Sequence, residues 1–289
     1  MILQGCGTAL VTPFKDGKVD YDAYRALVIR QVEAGVHFLV PLGTTAETPC
    51  LDDDEKLALL RMTRELCPDR PVVAGAGTNS PAATIRNIRL LEACGPDAFL
   101  IVVPYYNKPT QEGIVEYFRT VAAATGKGIV AYNVPGRTGV NMSAETALRL
   151  AEIPNVVAVK EASGNLEQIG RILSGKPEGF SVLSGNDDQT LQIMERGGDG
   201  VISVASNIAP ELMVRLVGAL ADGDLETAAT INDRLDPLFR ACFVESNPIP
   251  VKAGLDILGL CAAGMRLPLT EAVPSTFEAM RKAMEGLGV

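Results

Sequence analysis

Short apolar segments rich in β-branched residues recur along the chain, and most are followed by a stretch with helical periodicity. Their starts lie about 20 to 35 residues apart, which is the length of one strand–helix unit. Because these segments are apolar on both faces, they are typical of a buried parallel sheet. We predict strands at residues 8–12, 37–40, 71–74, 99–103, 129–132, 156–160, 181–183 and 201–204.

The stretches between the strands carry the start signals of helices. We predict that five side chains accept hydrogen bonds from the free N–H groups of a first turn. Eight strand–helix units predict an α/β fold of the (β/α)8 TIM-barrel type, because doubly wound sheets usually stop at about five to seven strands. The predicted capping residues are Asp20, Ser80, Thr110, Asn165 and Asp187.

The strand pattern stops after about Ala221. The residues beyond it show only helical patterns, which we expect to be broken by prolines and to pack on the barrel as a C-terminal extension. We therefore predict a barrel that carries the active site over residues 1–221 and a helical subdomain over residues 222–289. The prolines are Pro237, Pro248, Pro250, Pro268 and Pro274.

Composition narrows the classes of function. The 289-residue chain has 35 acidic and 26 basic side chains, a net charge of −9, which argues against nucleic acid or an anionic membrane as a partner. Its apolar runs fall far short of the roughly 18 residues of a spanning helix. Residues 1–14 lack the features of a signal peptide, so we expect a cytoplasmic protein. A single histidine, His37, and six scattered cysteines argue against metal chemistry and a Ser-His-Asp triad.

Lys160 is the first candidate for catalysis, because active residues of a barrel lie where the strands end. It follows the apolar run 156–159, so its side chain is expected in the barrel mouth. Burial there disfavours the ammonium form, lowers the pKa and frees the amine to attack a ketone. The alternative is a lysine paired with a carboxylate at a strand end.

The neighbouring loops supply polar partners. Tyr132, one strand away, is a candidate for proton transfer, or an aromatic residue that makes a single hydrogen bond. Thr44 and Thr45 follow Gly43 in a strand-to-helix loop that suits a carboxylate, although such turns are common. Arg137 suits a second carboxylate, bound through two parallel hydrogen bonds, or is a surface arginine.

Four motifs lie after predicted strands: GTTAE at 43–47, YYN at 105–107, YNVPGRT at 132–138 and KEASG at 160–164. Together they resemble the dihydrodipicolinate synthase family, which belongs to the pyruvate-dependent class I aldolases related to N-acetylneuraminate lyase. The resemblance covers nearly the whole chain in order and at matching spacing, and the YNVPGRT motif is the most specific to the synthases.

The resemblance implies a lyase of the Schiff-base type that needs no metal or cofactor. Lys160 would form an imine with pyruvate, and the derived enamine would attack L-aspartate 4-semialdehyde. The product would be 4-hydroxy-tetrahydrodipicolinate, in the first committed step of diaminopimelate and lysine biosynthesis. A homotetramer, arranged as a dimer of dimers, is also implied.

The resemblance also implies a role for each site residue. A proton relay falls on Tyr132, Thr44 and Tyr106, with Tyr106 lent across a dimer interface to the neighbouring site. Thr44 and Thr45 hold the carboxylate of pyruvate, and Arg137 holds that of the semialdehyde. Gly185 and Ile202 line the site through backbone groups.

Two other functions remain open at this point. A related lyase acting on N-acetylneuraminate or a 2-keto-3-deoxy acid would keep Lys160 and Tyr132, but Arg137 would not be expected in this context. A barrel that serves only for binding or regulation has no chemical need to retain Lys160, Tyr132, Tyr106 and Thr44 together.

Regulation is a further expectation from the resemblance, because some family members are inhibited by lysine bound at the dimer interface. This chain keeps Asn79 and Tyr105 of that crevice, but has Lys56 and Ala83 where a histidine or glutamate and a carboxylate are expected. We predict weak or absent inhibition, unless a carboxylate such as Asp53 substitutes for the missing one.

Overall fold

Eight parallel strands form the centre of the protein in a computed structural model that describes residues 2–288. The strands are β1 Gly5–Ala9, β2 Phe38–Val40, β3 Val73–Gly75, β4 Ala98–Val102, β5 Gly128–Asn133, β6 Val156–Glu161, β7 Ser181–Ser184 and β8 Gly200–Ser203. They pair in the order β2-β1-β8-β7-β6-β5-β4-β3, and a parallel bridge between Leu39 and Val72 brings the two ends of the sheet together. The predicted TIM barrel is therefore confirmed.

Helices connect consecutive strands on the outside of the barrel, as the parallel topology requires. The predicted caps Asp20, Ser80, Thr110 and Asn165 each accept a hydrogen bond from the first turn that follows. The helices are α1 Tyr21–Glu33, α2 Asp53–Leu66, α3 Pro81–Glu92, α4 Gln111–Ala122, α5 Ala144–Ala151, α6 Leu166–Gly175, α7 Thr190–Met194 and α8 Pro210–Ala221.

The fifth predicted cap, Asp187, is wrong. Asp187 lies inside a short 3-10 turn, Asp187–Gln189. Its Oδ2 atom accepts hydrogen bonds from the backbone N–H groups of Val204 and Ala205, at 2.9 and 3.0 Å. The buried carboxylate therefore connects the loop after β7 to the end of β8 instead of starting a helix.

The first strand begins three residues earlier than predicted. Gly5 and Gly7 lie within β1, and glycine weakens a strand pattern in the sequence. The structure requires glycine at position 7, because a Cβ atom there would lie 2.1 Å from Cε2 of Phe38. A short hairpin, Phe14–Lys15 with Lys18–Val19, was not predicted, although its Asp16–Gly17 turn is a recognised hairpin signal.

Apolar side chains pack on both faces of the barrel sheet. One apolar cluster lies inside the barrel and includes Phe38, Leu100, Tyr132, Leu183 and Ile202. Larger clusters lie between the strands and the surrounding helices. With the interior filled by side chains, the space for a ligand lies at the mouth of the barrel.

The residues after α8 form three helices, α9 Leu225–Ala241, α10 Ile249–Ile257 and α11 Pro274–Glu285. The predicted break at Pro237 is wrong, because this proline lies inside α9. The buried residues Leu235, Leu238 and Phe239 of α9 pack in the same apolar cluster as α8, which offsets the hydrogen bond lost at the proline. No helix within residues 2–288 is both long enough and apolar enough to cross a membrane.

Candidate active site

A cavity of about 550 Å³ lies at the carboxyl ends of the strands. Its size is typical of a site for a small molecule. Thr44 lines it from the loop after β2, Tyr132 from the end of β5 and Arg137 from the loop after β5. Asn247, from the segment between α9 and α10, completes this polar part of the lining.

Lys160 lies beside Tyr132, one of the residues that line this cavity. They are direct register partners on β6 and β5, and the Lys160 Nζ atom is 4.3 Å from the centroid of the Tyr132 ring. Lys160 is 5% exposed and forms no ion pair within residues 2–288. The other buried lysine, Lys252, differs, because its Nζ atom lies 2.8 Å from Oε1 of Glu47. The strand-end lysine is thus not held by a carboxylate.

The surroundings of Lys160 favour its neutral form. Burial lowers its pKa to about 8, the negative charge of Asp187 raises it in part, and the positive charge of Arg137 lowers it. An amine in this range is partly unprotonated near neutral pH, which is what nucleophilic attack on a carbonyl requires.

Tyr132 keeps its proton at neutral pH. Burial raises its pKa to about 12, while the charge of Arg137 and the hydroxyl of Thr44 lower it in part. A protonated phenol beside an unprotonated amine can donate a proton to a forming alkoxide and take it back later.

The loop after β2 presents its hydroxyl groups from a 3-10 turn, Thr44–Ala46, that follows Gly43. Thr45 is 2% exposed, and its Oγ1 atom accepts a hydrogen bond of 2.9 Å from Nδ2 of Asn247. Glu47 ends the turn with a left-handed φ of 53°. Its carboxylate accepts hydrogen bonds from Nζ of Lys252 and from the backbone N–H of Arg266, and these contacts fix the end of the loop.

Arg137 lies in a single helical turn, Pro135–Thr138, that directly follows β5. Its side chain lines the cavity, and Nη2 donates a hydrogen bond of 2.9 Å to the backbone carbonyl of Asn247. The remaining donors of the guanidinium suit an anionic group of a ligand.

Gly185 and Ile202 contribute differently. A Cβ atom at position 185 would lie 2.7 Å from Cβ of Ala162 and 3.2 Å from Cε of Lys160, so only glycine leaves space beside the lysine. Ile202 on β8 is 1% exposed and packs inside the barrel with Tyr132 and Leu183.

Of the predicted catalytic residues, Thr44 and Tyr132 line the cavity and Lys160 lies against the Tyr132 ring, whereas the side chain of Tyr106 points to the surface. It is 87% exposed and has a left-handed φ of 75°, whereas its neighbour Tyr105 lines the cavity.

Two buried polar residues near the site were missed in the sequence. Asn247 comes from the C-terminal region, and its Asn-Pro dipeptide indicates only a turn. The negative charge of Asp187 raises the pKa of Lys160, and the positive charge of Lys160 lowers the pKa of Asp187, whereas the sequence pattern indicates only a helix cap at this position. Within residues 2–288 no group of three or more His, Cys, Asp or Glu side chains is arranged to hold a metal ion.

Comparison with known proteins gives full-length matches. The sequence model of the Dihydrodipicolinate synthetase family matches residues 2–286. The 4-hydroxy-tetrahydrodipicolinate synthase of Thermotoga maritima is 45% identical, with 100% of each chain covered. That of Moorella thermoacetica is 49% identical, with 98% of this chain and 97% of the relative covered.

Solved structures agree with these relatives. Dihydrodipicolinate synthase from Thermotoga maritima superimposes with a TM-score of 0.98 at 45% identity, covering 100% of this chain and 99% of that one. The enzyme from Cyanidioschyzon merolae with lysine bound gives 0.95 at 42% identity, covering 99% and 98%. The predicted synthase activity is confirmed, and the sugar-acid lyase is not favoured. The chain belongs to the dihydrodipicolinate synthetase family.

Proposed function

We propose that this chain condenses pyruvate with L-aspartate 4-semialdehyde through an imine on Lys160 and releases 4-hydroxy-tetrahydrodipicolinate. The observation that carries the proposal is the buried Lys160 amine, free of any ion pair within residues 2–288 and 4.3 Å from the Tyr132 ring. The proposed biological role is the first committed step of diaminopimelate and lysine biosynthesis, in the cytoplasm.

The chemistry follows from an amine that is neutral when pyruvate arrives. The Lys160 nitrogen attacks the ketone carbon, water leaves, and a protonated imine forms. Loss of a methyl proton gives an enamine, whose carbon attacks the aldehyde of the second substrate. The amino group of that substrate then attacks the imine carbon, closes the ring and displaces Lys160.

The remaining residues have proposed roles in binding and proton transfer. Tyr132 and Thr44 line the cavity, and the Tyr132 ring lies 4.3 Å from the amine, which suits these residues to move protons together with Tyr106 of a neighbouring subunit. Thr44 and Thr45 are proposed to bind the carboxylate of pyruvate, and Arg137 that of the semialdehyde. Gly185 and Ile202 are proposed to line the site next to Lys160.

An assay of product formation tests the proposed function. Pyruvate with L-aspartate 4-semialdehyde should give 4-hydroxy-tetrahydrodipicolinate, detected by mass spectrometry. Pyruvate with N-acetylmannosamine or a sugar aldehyde should give no condensation product. Efficient turnover of a sugar aldehyde with none of the semialdehyde would favour the related lyase instead.

The pH dependence of imine formation should report the lowered pKa of Lys160. With a pKa of about 8, about a tenth of the amine is neutral at pH 7, against less than about a thousandth for an exposed lysine. The rate of imine formation at fixed pyruvate should rise about tenfold from pH 6 to pH 7 and level off above about pH 8. A rate still rising through pH 10 would contradict this.

A homo-oligomer, expected as a dimer of dimers, remains a proposal. Mixing two inactive variants tests whether Tyr106 acts across a subunit interface. Neither Tyr106→Phe nor Lys160→Ala alone should be active, yet mixed subunits should regain activity. In each hybrid dimer, one site combines Lys160 of one chain with Tyr106 of the other. Hybrids shown to form by native mass spectrometry but without activity would place the action of Tyr106 within one chain.

Lysine should inhibit this enzyme weakly or not at all. Lys56 lines the cavity and therefore brings positive charge to this region. It also pairs with Asp53 at 3.2 Å, which engages the carboxylate named above as a substitute. Ala83 provides no carboxylate to pair with the ammonium group of the ligand. The changes at positions 56 and 83 should each weaken the binding of lysine by about 1–3 kcal/mol. Titrating lysine into the synthase assay should leave the rate nearly unchanged at millimolar concentrations.

The double variant Lys56→His with Ala83→Glu provides the matched gain of function and should increase sensitivity to lysine. Strong inhibition of the unaltered chain well below millimolar lysine would show that other residues form the crevice.

The helical subdomain over residues 222–289 also remains a proposal. The packing of α9 against α8 supports a subdomain attached to the barrel.

A further inference from the structure

Asn247 joins the two groups that are proposed to bind carboxylates. Its Nδ2 atom donates to Oγ1 of Thr45 at 2.9 Å, and its backbone carbonyl accepts from Nη2 of Arg137 at 2.9 Å. Asn247 is 5% exposed and lines the cavity, yet the mechanism above gives it no role. One residue from the C-terminal region thus contacts two binding groups that come from different barrel loops.

The direction of the bond to Thr45 matters for the hydroxyl proton. A hydroxyl group has one proton to donate and two lone pairs that accept. Donation from the amide of Asn247 occupies an acceptor direction of Thr45, whose hydroxyl has no other hydrogen-bond partner within residues 2–288. The proton therefore stays available for an anionic oxygen of a ligand.

The other end of the Asn247 amide indicates that it is more than a stabilising contact. Its Oδ1 atom is buried and has no hydrogen-bond partner within residues 2–288. The buried amide of Asn133 differs, because its Oδ1 accepts from the N–H of Met142 at 2.9 Å while its Nδ2 donates to Glu161. Buried amides that serve only stability usually have both ends satisfied.

The position of Asn247 is set by rigid elements. Helix α10 begins two residues later, and its residues from Ile249 to Leu255 are buried. Lys252 of that helix forms the buried ion pair with Glu47, which lies two residues after Thr45. The segment and the loop that it contacts are therefore fixed relative to each other.

We infer that Asn247 is a positioning residue for both substrates: its side chain commits the Thr45 hydroxyl as a donor to the carboxylate of the keto acid, while its carbonyl orients Arg137. This inference rests on the proposed function and deepens it. It also gives the C-terminal region a part in substrate recognition.

Asn247→Ala separates the two contacts, because alanine removes the side chain and keeps the carbonyl. The KM for pyruvate should rise about tenfold, whereas the KM for the semialdehyde should change by less than about threefold. Thr45→Val should raise the KM for pyruvate by a similar factor. The double variant should lie within about twofold of Thr45→Val alone, because the two residues act through one contact.

Asn155→Ala is the matched control, since the Asn155 amide donates to the carbonyls of Ala122, Thr125 and Lys127 and lies just before β6, at the end of the barrel opposite the site. It should leave the KM for pyruvate unchanged. If the alanine variant at 247 does not fold, Asn247→Asp keeps the size of the side chain. It should raise the KM for pyruvate by about 100-fold, because a carboxylate repels the substrate and accepts the proton of Thr45.

Independent effects that multiply to about 100-fold in the Asn247→Ala and Thr45→Val double variant would overturn the inference. So would a lower KM for pyruvate in Asn247→Ala, which would mean that the amide accepts the Thr45 proton. Pyruvate trapping by borohydride on the unaltered chain separates the two claims. Trapping at Lys160 with no effect at Asn247 rejects only the inference, whereas no trapping rejects the proposed function and the inference with it.

Discussion

Lys160→Ala should lower kcat/KM for the synthase reaction by about 10⁴-fold or more, which is the scale of losing a covalent nucleophile. No other amine can replace it, because the buried Lys252 is already paired with Glu47 at 2.8 Å. Without the imine, the pyruvate methyl group has no electron sink into which the carbanion charge can move. Steady-state kinetics with both substrates measure the loss.

Lys127→Ala is a suitable control for this substitution. Lys127 directly precedes β5 and so lies at the end of the barrel opposite the site. Its replacement should leave kcat/KM within about twofold of the unaltered enzyme, as expected for a surface change. If the Lys160→Ala protein, shown to be folded by circular dichroism, kept more than about a tenth of the activity, the imine mechanism would be wrong.

Arg137→Ala should cut kcat/KM for the semialdehyde by about 100-fold, the scale of a lost charge-assisted pair of hydrogen bonds. The imine with pyruvate should still form, because the removed positive charge is one of the influences that lower the pKa of Lys160 and burial is the larger one. Trapping of pyruvate alone therefore separates a defect in the second substrate from a damaged site.

Arg137→Lys should recover only part of this loss, because an ammonium cannot make two parallel hydrogen bonds to a carboxylate. Arg171→Ala provides a matched control, since Arg171 is exposed on α6 and pairs only with surface glutamates. Unchanged semialdehyde kinetics in Arg137→Ala would rule out the proposed role of this arginine.

The strand positions and the lysine–tyrosine pair were predictable because they depend on local sequence patterns. Lys160 and Tyr132 each end an apolar run, and strands of one parallel barrel bring their carboxyl ends to the same mouth. The structure adds the register that makes them direct neighbours, with Nζ 4.3 Å from the ring.

Other features depend on contacts between distant parts of the chain and leave little local trace. Asn247 reaches Thr45 across 202 residues of sequence. Aspartate is a common helix cap, but the carboxylate of Asp187 accepts hydrogen bonds from backbone N–H groups that follow β8. Tyr106 is 87% exposed, and its proposed role would depend on contacts with a neighbouring subunit, which no local pattern within one chain encodes.

Reduction with borohydride in the presence of pyruvate tests the central claim most directly. The imine is converted to a stable secondary amine, and peptide mass mapping then locates it. We predict one reduced pyruvyl group per chain, on Lys160, with loss of activity in proportion to labelling and no labelling in Lys160→Ala. Labelling at another lysine, or full inactivation without modification of Lys160, would contradict the account.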